Sequence, residues 1–261
     1  GTFTKIYFEG ITVLREAYGS GVGETGLWYD NADVGGSLVT LEGRAREGDA
    51  HDVKINGLTI MAADDSDTSI GHATPVSTWS ASDWDAFLGK TTGGIVVNDV
   101  TNVEIVNTTI QNISVGFGFY GSCENSYFVN STIKNFTVDG SRIISSDIYF
   151  AYNSITDACV VYPYEENHYD GIQSYTVGDG GVGTGVLYNV TIRGNTIIDD
   201  TGLAYFAGSI QGIGCFDGYF DTWVVENNLI MVSNYHGISL YGLINGAILN
   251  NTVVDRIDGD I

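Results

Sequence analysis

The stretches VEIVNTTI (103–110), SYFVNSTI (126–133), YFAYNSI (149–155), VTIRGNTI (190–197), VVENNLI (224–230) and AILNNTV (247–253) repeat one pattern. In each, apolar and polar residues alternate into an Asn, small polar residues follow, and Ile, Leu or Val closes the unit. Aligning the units on Asn107, Asn130, Asn153, Asn195, Asn228 and Asn251 gives spacings of 23, 23, 42, 33 and 23. The two long spacings are one repeat plus insertions of 19 and 10 residues, the first holding the glycine-rich VGDGGVGTG at 177–185. VKINGLTI (53–60) has the same alternation with Gly57 where Asn would stand.

A period of about 20–25 residues, built from short β-type runs with Gly punctuation, predicts a parallel β-solenoid whose strands pair with those of the coils above and below. The Leu framework of leucine-rich repeats is absent, as are helix-length runs of 3.6 periodicity. An inward Asn at a tight turn can bond its amide to the equivalent Asn one coil away, so a buried Asn ladder is expected. Residues 51–261 read as one continuous solenoid domain. Residues 1–50, with FTKIYFEGITVLREAYG and SLVTLEGRA, read as strands that begin or cap it, and 61–93 as a polar excursion.

Composition narrows the function. Hydrophobic content of 43% and aromatic content of 12% are too high for disorder, and no apolar run is long enough to span a membrane. With 32 acidic against 10 basic residues and a formal charge of −22, nucleic acid is excluded as a partner, since phosphate binding needs clustered Lys and Arg. Such an acidic chain suits an extracellular, cell-surface or virion-surface setting, including one of high salt, where excess charge is screened. Cys123, Cys159 and Cys215 fit neither a zinc site nor a disulfide framework and read as buried apolar residues.

Chemistry gathers at a second column. Each coil starts its next strand with Gly: Gly94, Gly116, Gly140, Gly171, Gly212 and Gly237. The preceding residues are Gly93, Val115, Asp139, Asp170, Gln211 and His236. Strands one rung apart lie about 4.8 Å from each other, so Asp139 and Asp170 can form the carboxylate pair that acid–base sugar chemistry needs. The same corner can instead use Asp and Gln to cap turns. Arg142 and Gln173, each two residues past its Gly, should be outward neighbours. Four residues past the Gly runs a column of Tyr120, Ile144, Tyr175, Phe216 and Tyr241, an aromatic stripe suited to stacking on sugar rings. YPYEENHYDGIQSY (162–175) adds His168, a group able to shuttle protons, with Tyr164 and Tyr169 beside it. The candidate catalytic residues are thus Asp139, Arg142, His168, Asp170, Gln211 and His236. The candidate substrate-binding residues are Tyr164, Tyr169, Gln173, Tyr175, Phe216 and Tyr241. No metal ligands are assigned.

On its repeat, the chain resembles the right-handed parallel β-helix proteins of the pectate lyase-like superfamily over residues 50–256. The right-handed sense comes from that resemblance and from the handedness of parallel crossovers. Part of the motif set of polygalacturonase-like hydrolases is also visible: Asp170 in YDGI and His236 in YHGI match the family's N-T-D-G and G-H-G elements. The D-D element, which holds the proton donor in that family, has Ile210-Gln211 in its place, and Asp199-Asp200 comes too early in its coil. Arg256-Ile257 matches the R-I-K element only in part, with Asp258 in place of Lys.

Two functions follow as expectations. One is an extracellular carbohydrate-active protein that binds, and cleaves or epimerises, a polysaccharide as lyase, epimerase or hydrolase. In the lyase or epimerase case, Arg142 or a bound Ca²⁺ would neutralise a uronate carboxylate; Asp64, Asp65 and Asp67 are weak Ca²⁺ candidates. The other is a non-enzymatic surface, sheath, filament, adhesin or tail-spike solenoid, self-assembling as a homo-oligomer or end to end through its open strand edges. N-x-S/T sites stand at Asn107, Asn112, Asn130, Asn135, Asn189 and Asn250. Asn107 and Asn130 should be buried in the ladder, and Asn112, Asn135 and Asn189 exposed to glycosylation.

Overall fold

A computed structural model describes residues 6–9, 12–14, 37–43, 51–61, 93–158, 169–201 and 209–256. These residues form a right-handed parallel β-helix. Among them, sheet A has eight strands in the order 6–9, 51–56, 101–106, 126–129, 148–151, 191–193, 224–226 and 247–249. Sheet B also has eight: 12–14, 59–61, 109–113, 132–136, 154–158, 196–198, 229–232 and 252–255. Sheet C has seven: 37–42, 93–98, 117–120, 141–144, 170–175, 211–217 and 238–240. Each coil visits A, B and C in turn, and every pairing within these three sheets is parallel, as between Tyr127 and Tyr149 or Ile133 and Ile155.

The core is a set of side-chain columns running along the axis. Ile60, Ile110, Ile133, Ile155, Ile197 and Ile230 stand in register along sheet B with no exposed surface. Phe128 stacks between Phe117 and Phe150, with ring centroids 4.1 and 5.2 Å away. Cys123 and Cys215 are buried, as expected, and Cys159 lies outside the described residues.

The sheet B isoleucines also account for the glycine column. A Cβ on Gly116, Gly140, Gly171 or Gly212 would collide with Ile133, Ile155, Ile197 or Ile230 and with the carbonyl oxygen of the glycine one coil on. The thin coil brings sheet B side chains against the backbone where sheet C begins, so only Gly fits there.

The ladder is present between sheets A and B, with one correction. The Oδ1 of Asn195 accepts from the backbone N and the Nδ2 of Asn153, both at 3.0 Å. Its Nδ2 donates to Asn228 Oδ1 at 3.0 Å and to the Phe150 carbonyl at 3.1 Å. Asn228 binds Asn251 in the same way. Toward the N-terminus the ladder continues as Ser131, whose N donates to Asn153 Oδ1, and Thr108, whose N donates to Ser131 Oγ. Asn107 and Asn130 are therefore not rungs. They precede the rung, in a left-handed column of Gly57, Asn107, Asn130, Tyr152, Gly194, Asn227 and Asn250 with φ between 52° and 70°. Ladder spacings become 23, 22, 42, 33 and 23.

This reverses part of the glycosylation expectation. Asn107 and Asn130 are exposed, while Asn112 is buried and its Oδ1 accepts from Asn135. Asn suits both jobs, because its short amide tolerates left-handed φ and bridges backbone groups.

Asn195→Ala strands a buried N–H on Asn153 and a carbonyl on Phe150. It should lower the free energy of urea unfolding by about 2–4 kcal/mol, against about 0.5 kcal/mol or less for Asn130→Gly. Equal losses in the two variants would mean that the buried amide column is not what holds the coils in register.

Candidate functional site on the outer face of sheet C

Because each glycine interrupts simple alternation, the residue before it and the residue two after it share the outer side of sheet C. Arg142 Nε donates to Asp139 Oδ2 at 2.6 Å, and Gln173 Nε2 to Asp170 Oδ2 at 3.2 Å. His236 Nδ1 lies 2.8 Å from Ser239 Oγ at the same spacing. Register pairs Arg142 with Gln173 and Asp170 with Gln211. The rungs also lock to one another, since the backbone N of Asp170 donates to Asp139 Oδ1 at 3.0 Å. Asp139 thus caps its neighbour's strand and holds Arg142 at once.

Asp139, Asp170 and Gln211 are buried, whereas Arg142, Gln173 and His236 are partly exposed. Asp170 Oδ1 has no hydrogen-bond partner among the described residues and sits over Gly214, where any Cβ would strike it. Burial and the negative charge of Asp139 push the Asp170 carboxyl up to about 8, against the opposing pull of Gln173 and Arg142. At neutral pH Asp170 carries a proton beside an ion-paired Asp139.

Aromatic rings flank this polar centre. Tyr120 folds over Gly118, hydrogen-bonds Arg142, and has its hydroxyl pKa raised by burial. Phe216 is the extra residue of a bulge opposite Ser174 and Tyr175, and its ring covers Gly214. It meets Tyr241 edge-on at 5.0 Å and His236 at 5.1 Å. Tyr235 lies 4.2 Å from His236 and is 84% exposed; Tyr241 is 68% exposed. Tyr175 leads directly into an antiparallel hairpin of Val177–Gly178 and Gly181–Val182, part of the predicted insertion.

Of the expected site residues, Asp139, Arg142, Asp170, Gln173, Tyr175, Gln211, Phe216, His236 and Tyr241 come together on this face. Tyr169 does not: it belongs to the hydrophobic core. Ile144, in the aromatic column, is buried. His168 and Tyr164 lie outside the described residues, as do Asp64, Asp65 and Asp67. Among the described residues, no group of three or more His, Cys, Asp or Glu is placed to hold a metal ion. Asp199 and Asp200 follow a strand of sheet B, and Arg256 binds both. Tyr235 and Ser239 are additions to the site. Ser239 was legible as the third member of a spacing shared by Asp139–Arg142 and Asp170–Gln173, but Tyr235 carries no such mark.

No protein-family model matches the chain, and no curated protein matches it. Among solved structures, the chain has a likeness to a tailspike protein, gp49 of Acinetobacter baumannii bacteriophage Fri1, a capsular polysaccharide depolymerase. Identity is 11% and the TM-score 0.27, over 78% of this chain and 42% of that one. The likeness is too loose to bear on fold or activity.

The buried carboxyl has a sign-definite consequence. Unfolded, Asp170 titrates near 3.8; folded, at about 8. Between these values the folded state holds the extra proton, so this group's stabilisation is full below the lower value and is lost as pH rises through the upper. Asp170→Asn should flatten the fall in stability between about pH 4 and about pH 8. At the alkaline end it should exceed wild type by a few kcal/mol in urea unfolding. Identical pH slopes in the two proteins would place the Asp170 carboxyl in water rather than in the face.

Proposed function

We propose that the protein is an extracellular polysaccharide-binding β-helix whose ligand lies along the outer face of sheet C. One observation carries this: Arg142 and Gln173 are each held by a buried acid three residues back, beside a half-exposed cluster of Phe216, His236, Tyr235 and Tyr241. Side chains fixed in this way donate to hydroxyl groups at little entropic cost, and the rings offer apolar surface to sugar C–H faces. Arg142 is already neutralised by Asp139, and the chain's charge is −22, so a neutral glycan is favoured over a polyuronate. With Asp139 and Asp170 buried beneath Arg142 and Gln173, the groups available to a ligand are those of a binding face. Cleavage would require Asp170, the protonated carboxyl, to reach a glycosidic oxygen.

A second reading is a self-assembling scaffold in which the stiff repeat is itself the structural element.

Affinity electrophoresis through neutral and uronate-containing polysaccharides separates these cases. Retention by a neutral polysaccharide, weakened about tenfold in Tyr241→Ala, is expected from the loss of one stacking ring. Reducing ends or unsaturated products made by wild type and not by Asp170→Asn would add catalysis to binding. No retention, with filaments seen by microscopy, would leave a scaffold.

A further inference from the structure

The outer face of sheet A carries a second aromatic group. Tyr127 and Tyr149 are neighbours in register, with ring centroids 6.1 Å apart and planes at 55°. They form a ridge between two open grooves of about 440 and 340 Å³. One groove is mainly apolar, walled by Val106 and Val129 with Glu104 at its side. The other is walled by Glu124, Asn125, Asp147 and Asn189.

Tyr152 completes the group and is out of place by the rules of its own column. It is 50% exposed and has φ +57°, where the other coils use Gly or Asn. Among the described residues, every non-glycine residue at positive φ is Asn or Asp except Tyr152 and Thr222. A bulky side chain in this region is strained, and such strain persists where surrounding structure or function holds it. The Tyr152 ring lies over Gly194, where an added Cβ would strike it, and its hydroxyl shares a hydrogen bond with Tyr149.

Charge limits what the ridge can accept. Lys54 is paired with Glu104, and Arg193, which also hydrogen-bonds Tyr149, with Glu226. The polar groove has carboxylates and amides but no cation on its walls. It therefore suits a ligand that donates hydrogen bonds, carries no negative charge and has an apolar face. A neutral sugar ring has these properties, with C–H groups on one side and hydroxyl donors at its edge.

We infer that Tyr127, Tyr149 and Tyr152 form a second neutral-sugar subsite, on sheet A and independent of the sheet C face. Two sites on one rigid rod would engage a polymer by avidity, the second at high effective concentration once the first is occupied.

Affinity electrophoresis through gels of dextran, galactomannan or mixed-linkage β-glucan tests this, with Tyr149→Ala, Tyr152→Gly and Tyr241→Ala compared with wild type. Tyr149→Ala should weaken retention about fivefold to tenfold and leave the Tyr241-dependent part in place. Tyr152→Gly should also weaken retention, yet raise the urea midpoint by relieving the left-handed strain, an outcome a merely structural tyrosine would not give. Retention that falls with Tyr241→Ala but not with Tyr149→Ala or Tyr152→Gly overturns the sheet A subsite and leaves the sheet C proposal standing. The converse pattern overturns the sheet C proposal and supports this one. No retention by any of the three polysaccharides overturns both.

Discussion

The buried amide column between sheets A and B is the constraint from which the other features follow. A coil of about 23 residues must turn sharply, and the turn would bury backbone groups that neither sheet can satisfy. The Asn195 side chain resolves this with four hydrogen bonds, two accepted from Asn153 and one donated to each of Phe150 and Asn228. An amide that bonds its equivalents one rung away on either side resists slippage, because a one-residue shift would turn it outward. Register fixed at one corner propagates around the coil, aligning the isoleucines of sheet B and the glycines that make room for them.

That alignment produces the sheet C face. Glycine is required where sheet B isoleucines press on the backbone, and the resulting bend puts the preceding residue outside with the one three positions on. Asp139 with Arg142, Asp170 with Gln173, and His236 with Ser239 are three instances of one geometry set by core packing. The chemistry differs from rung to rung while the placement does not. A solenoid can thus carry a graded row of functional groups on an unchanged frame.

Most of this was legible because a solenoid writes its contacts as spacings. The Asn pattern, the glycine column, the Arg142–Gln173 pairing and the outward aromatics could all be read from period and alternation. The failures share a cause. Asn-Ser, Asn-Thr and Asn-Asn pairs contain two candidates for one rung, and only burial separates Asn130 from Ser131. Tyr169 stands beside Asp170 in a polar run yet turns into the core, because strand entry reverses sides at that point. The burial of Asp139 and Asp170, which favours binding over acid–base catalysis, depends on how Arg142, Gln173 and neighbouring backbone close over them. The strain at Tyr152 is likewise invisible until its φ is known.

Hydroxyl-radical footprinting, with and without fragments of a retained neutral polysaccharide, tests the sheet C face most directly, since His236, Tyr235, Phe216 and Tyr241 are both reactive and partly exposed. Ligand should suppress oxidation at these four residues while leaving Tyr188 and Tyr219, about half exposed and on strands outside sheet C, unchanged. Unaltered oxidation at all four, under conditions where the polysaccharide is bound, would contradict a ligand site on sheet C.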